Sequence, residues 1–101
     1  MRLSARKDAN QTAIAETFRA LGCSVEFLHR VGQGVPDLLV GICGANYLVE
    51  VKDGSKSPSR RRLTDDEADW HANWRGQVSV VSTQDDVIRK VKAIRSGGYV
   101  A

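Results

Sequence analysis

The strongest constraint on this chain is the stretch from Gly32 to Lys52. It reads Gly32-Gln33-Gly34-Val35-Pro36-Asp37-Leu38-Leu39-Val40-Gly41, then Ile42-Cys43-Gly44-Ala45-Asn46, then Tyr47-Leu48-Val49-Glu50-Val51-Lys52. A glycine-rich loop leads into an apolar run, a turn and a second apolar run. Runs this continuously apolar indicate strands buried on both faces. Gly44-Ala45-Asn46 supplies turn chemistry between them. Asp37 stands at the mouth of the first strand, directly after Pro36. The proline ring fixes its own φ and biases Val35 towards extended backbone, so the carboxylate is rigidly placed. Glu50 and Lys52 lie two residues apart on the second strand, so they share a face. Pairing the two strands brings Asp37 beside them. A buried carboxylate is expensive unless it is paired or bound to a cation. A Glu50–Lys52 ion pair would answer that need alone. The second acid at a fixed place, with a basic loop directly downstream, favours a metal-dependent phosphodiester hydrolase site.

The flanking sequence supplies the scaffold. A helix should begin near Asp8 or Asn10, both good caps, and put Ile14, Phe18 and Leu21 on one face before Gly22 stops it. Ser24 to Val31 alternates at first and predicts an opening strand. After Lys52 the composition changes. From Lys52 to Arg62 there are five basic residues and one acid, a net charge of +4 against +3 for the whole chain. Thr64-x-x-Glu67 then fits a capping box, with Leu63 and Ala68 as its staple. The helix it opens carries Glu67, Trp70, His71 and Trp74 along one side, and the two tryptophans are expected in the core. Val78-Ser79-Val80-Val81 predicts a last strand. Ser82 or Thr83 caps a last helix with Val87, Ile88, Val91 and Ile94 on one face. The order is α-β-β-β-α-β-α. The first three strands should form an antiparallel meander, and the helical connection should make the third and fourth parallel.

At 101 residues the chain is expected to be one small domain over residues 8–101, preceded by a basic N-terminal arm, residues 1–7. A core this small makes a dimer more attractive than for a larger chain. The mildly basic balance points to an anionic partner. No apolar run has the length of a membrane span, and no apolar segment follows the basic start, so neither a membrane anchor nor a signal peptide is expected. Cys23 and Cys43 belong to no metal-type pair and are expected as reduced thiols, which suits a cytoplasmic protein.

Gly34-Val35-Pro36-Asp37 followed by Glu50-Val51-Lys52 resembles the PD-(D/E)XK nuclease signature. The wider text resembles its small viral and bacterial VRR-NUC branch. Asp8-Ala9-Asn10-Gln11, the loop from Gly32, Asp53-Gly54, and Leu63-Thr64 through Trp70-His71 to Trp74-Arg75-Gly76 carry that resemblance over roughly residues 8 to 95. It implies an α/β, restriction-endonuclease-like αβββαβ core, a mixed four-stranded sheet flanked by helices. It implies a site of Asp37, Glu50 and Lys52, with Asp37, Glu50 and the Val51 carbonyl holding Mg²⁺ or Mn²⁺, and with Lys52 orienting or helping to deprotonate the attacking water. All-oxygen coordination suits those ions.

Relatives often carry a glutamate on the first helix. Here Gln11 lies on the face of Ile14, Phe18 and Leu21, while Glu16 is rotated from it by roughly 140°. Gln11 is therefore the inward accessory residue, or else a capping partner of Asp8. Glu67 stands where relatives often have glutamine, and capping is its slightly favoured role over reaching the site. Gly32 and Gly34 would let backbone approach phosphate, and Lys56, Arg60, Arg61 and Arg62 would clamp nucleic-acid phosphates. His29 and His71 are assigned no catalytic role. The implied activity is a metal-dependent DNA endonuclease acting as a homodimer on Holliday (four-way) junctions in a bacterial or phage-infected cell. Alternatives are a flap or branched-DNA nuclease, a modification-type or tRNA endonuclease, and a non-catalytic nucleic-acid-binding module.

Overall fold

The computed structural model describes residues 9–98. The arm expected over residues 1–7 and the tail from Tyr99 lie outside them. Helix α1 spans Ala9–Ala20, and strands β1, β2 and β3 span Ser24–Phe27, Leu38–Ile42 and Ala45–Val51. A short 3-10 turn, Pro58–Arg61, lies in the basic loop. Helix α2 is Asp65–Asn73, strand β4 is Val78–Val81 and helix α3 is Gln84–Arg95. The sheet order is β1-β2-β3-β4. The first three strands form the antiparallel meander, and β3 pairs with β4 in parallel. This is the mixed, helix-flanked α/β architecture that the sequence implied. No described helix is long and apolar enough to cross a membrane.

Local sequence explains the element ends. Gly22 leaves α1 at φ +91°, a conformation that glycine adopts without a steric penalty. Thr64 and Thr83 both close capping boxes, with Glu67 and Asp86 as their partners. The β2–β3 turn is tighter than the sequence suggested. It turns on Cys43 and Gly44, whose φ values of +55° and +77° suit a two-residue hairpin, and β3 begins at Ala45. Strand β1 ends at Phe27, short of the expected Val31.

The core occupies one side of the sheet. Ile14, Ala15 and Phe18 of α1 and Val87, Val91 and Ile94 of α3 pack on Val25, Leu38, Val40, Val49 and Val81. Alternation turns Leu39, Leu48, Val78 and Val80 to the other side, where they are half-buried or exposed. The strands are therefore buried on one face, not on both as their composition suggested. Helix α2 has no buried residue. The tryptophans accordingly lie outside the core. Trp70 is half-buried and Trp74 is 46% exposed.

Candidate active site

The antiparallel register sets Leu38 opposite Val49, and one further step sets Asp37 opposite Glu50 on the less covered face. Helix α1 fixes Asp37 from one side, where Gln11 Nε2 donates to Asp37 Oδ1 at 3.0 Å. The Val51 amide donates to Asp37 Oδ2 at 2.8 Å. Asn10 Nδ2 donates to the Lys52 carbonyl at 2.7 Å, tying the start of α1 to the end of β3. Helix α2 closes the other side. Glu67 Oε1 accepts from Lys52 Nζ at 2.6 Å and from the Thr64 amide at 2.9 Å. The cap and the reach towards the site are alternatives for Glu67 in the sequence, and in the structure one oxygen does both. The Glu50–Lys52 pair is the looser contact, at 3.7 Å.

The electrostatics follow from burial and crowding. Glu50 is 2% exposed, and its Oε1 is buried without a hydrogen-bond partner. Burial, and then the charges of Asp37 and Glu67, push its carboxyl up to about 10. Burial also raises Asp37, against the opposing pull of the Val51 amide. Burial would raise Glu67 too, but Lys52 and the Thr64 amide bring it below the usual carboxylate range. Burial would lower Lys52, but Glu67, Glu50 and Asp37 together raise it. The lysine is thus held as an ammonium. Burial lowers His71, whose Nε2 is buried with no hydrogen-bond partner.

Without a cation, burial and the crowding of three acids around one ammonium keep Glu50 protonated, and a divalent ion would supply the missing positive charge. The unpartnered Glu50 oxygen and the all-oxygen donor set fit a hard divalent cation. Among the described residues no group of three His, Cys, Asp or Glu side chains forms a ready-made cage. Glu67 is committed to Lys52 and to its own helix cap. Asp37, Glu50 and a main-chain carbonyl remain as the donors that fit.

The sequence matches no family model and no curated protein. The fold does find a counterpart. A solved structure described as a VRR_NUC domain matches with a TM-score of 0.61 and 32% identity, over 81% of this chain and 89% of that one. The chain belongs to the VRR-NUC family. This makes it a nuclease domain, with the fold that its motifs implied.

The other expected site residues of this VRR-NUC domain differ in exposure and surroundings. Gly34 has φ +84°, and a Cβ there would lie 2.7 Å from the Asp66 carbonyl carbon. Its close approach is thus made to α2. Gly32, at φ +74°, has open space around the corresponding position. Lys56, Arg60 and Arg62 are exposed, and Arg61 is half-buried. Glu16 is exposed, as its helical phase required. Asn10 is the contributor that sequence reasoning passed over as a cap. Its signal was its place beside Gln11, one step round the same helix turn. Both cysteines are free thiols, Cys23 buried and Cys43 exposed.

Proposed function

We propose that this VRR-NUC domain is a Mg²⁺- or Mn²⁺-dependent DNA endonuclease that cuts branched DNA, with the four-way junction as its first substrate. The observation that carries the reading is Glu50, a buried carboxylate with a free oxygen, set opposite Asp37 and beside a charged lysine. Asp37, Glu50 and the Val51 carbonyl would hold the cation. A bound divalent ion supplies a more acidic water and offsets the charge that develops on the phosphate. Gln11 and the Val51 amide fix the orientation of Asp37. Glu67 holds Lys52 at the edge of the carboxylates, from where the ammonium can meet a phosphate oxygen or orient water. With its proton retained, Lys52 acts through its charge and hydrogen bonds, not as the base.

The exposed cations at 56, 60 and 62, with Arg61 beside them, would bind flanking phosphates, and the open backbone at Gly32 leaves room for another. A four-way junction has two-fold symmetry, so matched cuts need two sites, which a homodimer of this chain would provide. The test is a cleavage panel of labelled four-way junction, flap, duplex and single strand with Mg²⁺, Mn²⁺ or EDTA. Metal-dependent paired nicks confined to the junction are expected. Preferential flap cutting would move the substrate, and no cleavage of any DNA with either ion would overturn the enzyme reading.

A further inference from the structure

The less covered face of the sheet does more than hold the carboxylates. Asp37, directly before β2, Leu39 and Gly41 of β2 and Asn46, Leu48 and Glu50 of β3 share it by alternation and register. Beside the acids lies a cavity of about 480 Å³ lined by Leu39, Asn46, Leu48, Trp74, Gly76 and Gln77. Its floor is aliphatic, its wall is an indole and its polar groups are two neutral amides. Pockets that bind flat organic groups combine such apolar surfaces with a few placed polar groups. Leu48 is two residues from Glu50 along one strand face, about 7 Å at the usual strand rise. The cavity is therefore roughly one or two nucleotides from the place where a scissile phosphate would sit.

Trp74 is built to present a flat surface. Its ring stacks on Trp70 with centroids 4.6 Å apart and planes 18° from parallel. A Cβ on Gly76 would lie 2.8 Å from Trp74 Nε1, so glycine there makes room for the indole's pyrrole side. Trp74 is nonetheless 46% exposed. A near-parallel aromatic pair with one exposed member is the arrangement that a third planar ring extends.

We propose that this cavity is a subsite for one unpaired nucleobase of the DNA substrate, stacked on Trp74 with its edge met by the Asn46 and Gln77 amides. The proposal rests on the nuclease reading above and adds the reason for preferring branched DNA. Only a base freed from pairing can enter, and branch points supply such bases. Base–aromatic stacking is tolerant of sequence, whereas amides both donate and accept along a base edge. A second copy of the chain is the rival occupant. It would have to cover the same sheet face that carries Asp37 and Glu50, and so would block the phosphate's approach.

The test uses binding in EDTA, which separates it from catalysis. A four-way junction and a flap carry 2-aminopurine or an abasic site at successive positions around the branch. Quenching of 2-aminopurine at one position, with roughly 5- to 100-fold weaker binding when that position is abasic, is the expected result. Trp74→Ala should abolish both effects, Trp74→Phe should restore most of them, and Asn46→Leu should weaken binding of the intact base alone. Circular dichroism of each variant checks the fold. Tight DNA binding with no position-dependent quenching, or with equal response in wild type and Trp74→Ala, would overturn the subsite and leave the nuclease reading standing. A dimer that dissociates in Trp74→Ala without any change at the base would assign the face to a second copy instead. No binding to any DNA, in EDTA or with Ca²⁺ in place of the catalytic ion, would overturn both readings.

Discussion

Glu50 is the residue at which stability and function pull apart. Its carboxylate is buried, one oxygen has no partner, and two further carboxylates crowd it. Glutamine keeps the shape and removes a carboxyl that must take up a proton on folding at neutral pH. In metal-free buffer Glu50→Gln should therefore be at least as stable as wild type, with a gain on the order of 1 kcal/mol or more in a urea melt. Its cleavage should fall by at least about 100-fold. A variant that is both destabilised and active would show that the carboxylate serves packing alone. Gln11 acts one step back, through Asp37, and supporting partners of this kind typically contribute about 10- to 100-fold. Gln11→Ala should lower cleavage within that range while thermal unfolding changes little. If Gln11 were only a helix-end cap, stability would fall and cleavage at saturating metal would not. This distinction was half legible beforehand, because helical phase turns Gln11 inward and Glu16 outward. What Gln11 meets there depends on how α1 lies across the ends of β2 and β3, and no local pattern encodes that.

At the scale of elements, two local devices fix the frame: the glycine loop against α2, next to the site, and the capped start of α3, which packs in the core. Gly32 and Gly34 both sit at positive φ, where a side chain costs about 1–2 kcal/mol. Only Gly34 also abuts the α2 backbone. Gly32→Ala should thus show the conformational cost alone, and Gly34→Ala clearly more, read as the difference between two thermal melts. Equal losses would mean that the loop does not lock α2.

Asp86 gives the pH-dependent counterpart. Its Oδ2 accepts from the Ser82 amide at 2.8 Å and the Thr83 amide at 3.1 Å, and Arg89 pairs with its other oxygen. Burial raises its carboxyl, but these donors and Arg89 bring it below the usual carboxylate range. A carboxylate depressed on folding stabilises fully above its unfolded value of about 3.9, and that stability is lost as pH falls through the folded value. Asp86→Ala should cost about 1 kcal/mol at neutral pH, and the gap from wild type should close as pH falls through the depressed folded-state value of the carboxyl. A gap independent of pH would assign the loss to packing.

The elements themselves were largely readable, because capping boxes, glycine stops and apolar periods are local signals. The coverage of the sheet was not. Leu39 and Leu48 look like core in sequence, yet α2 packs its backbone on Gly34 and leaves their face partly open. The same placement keeps Trp70 and Trp74 out of the core, although their four-residue spacing suggested burial.

For the whole molecule the governing quantity is where charge sits, not how much there is. The net +3 conceals a sharp division, with Lys56, Arg60, Arg61 and Arg62 followed at once by Asp65, Asp66, Glu67 and Asp69. Glu67 is turned to Lys52, while Arg60 and Arg62 are exposed and enter none of the ion pairs found among the described residues. If each of these arginines meets one phosphate, binding releases counterions in proportion, at about 0.9 in the logarithmic salt slope per contact. Arg60→Ala combined with Arg62→Ala should then flatten the slope of DNA affinity against salt by about 2, with unfolding unchanged because both side chains are solvated. Weaker binding at every salt concentration with the slope intact would mean that these arginines act on DNA by some route other than phosphate contact. An unchanged affinity would move the clamp to Lys56 or to the other face of the molecule.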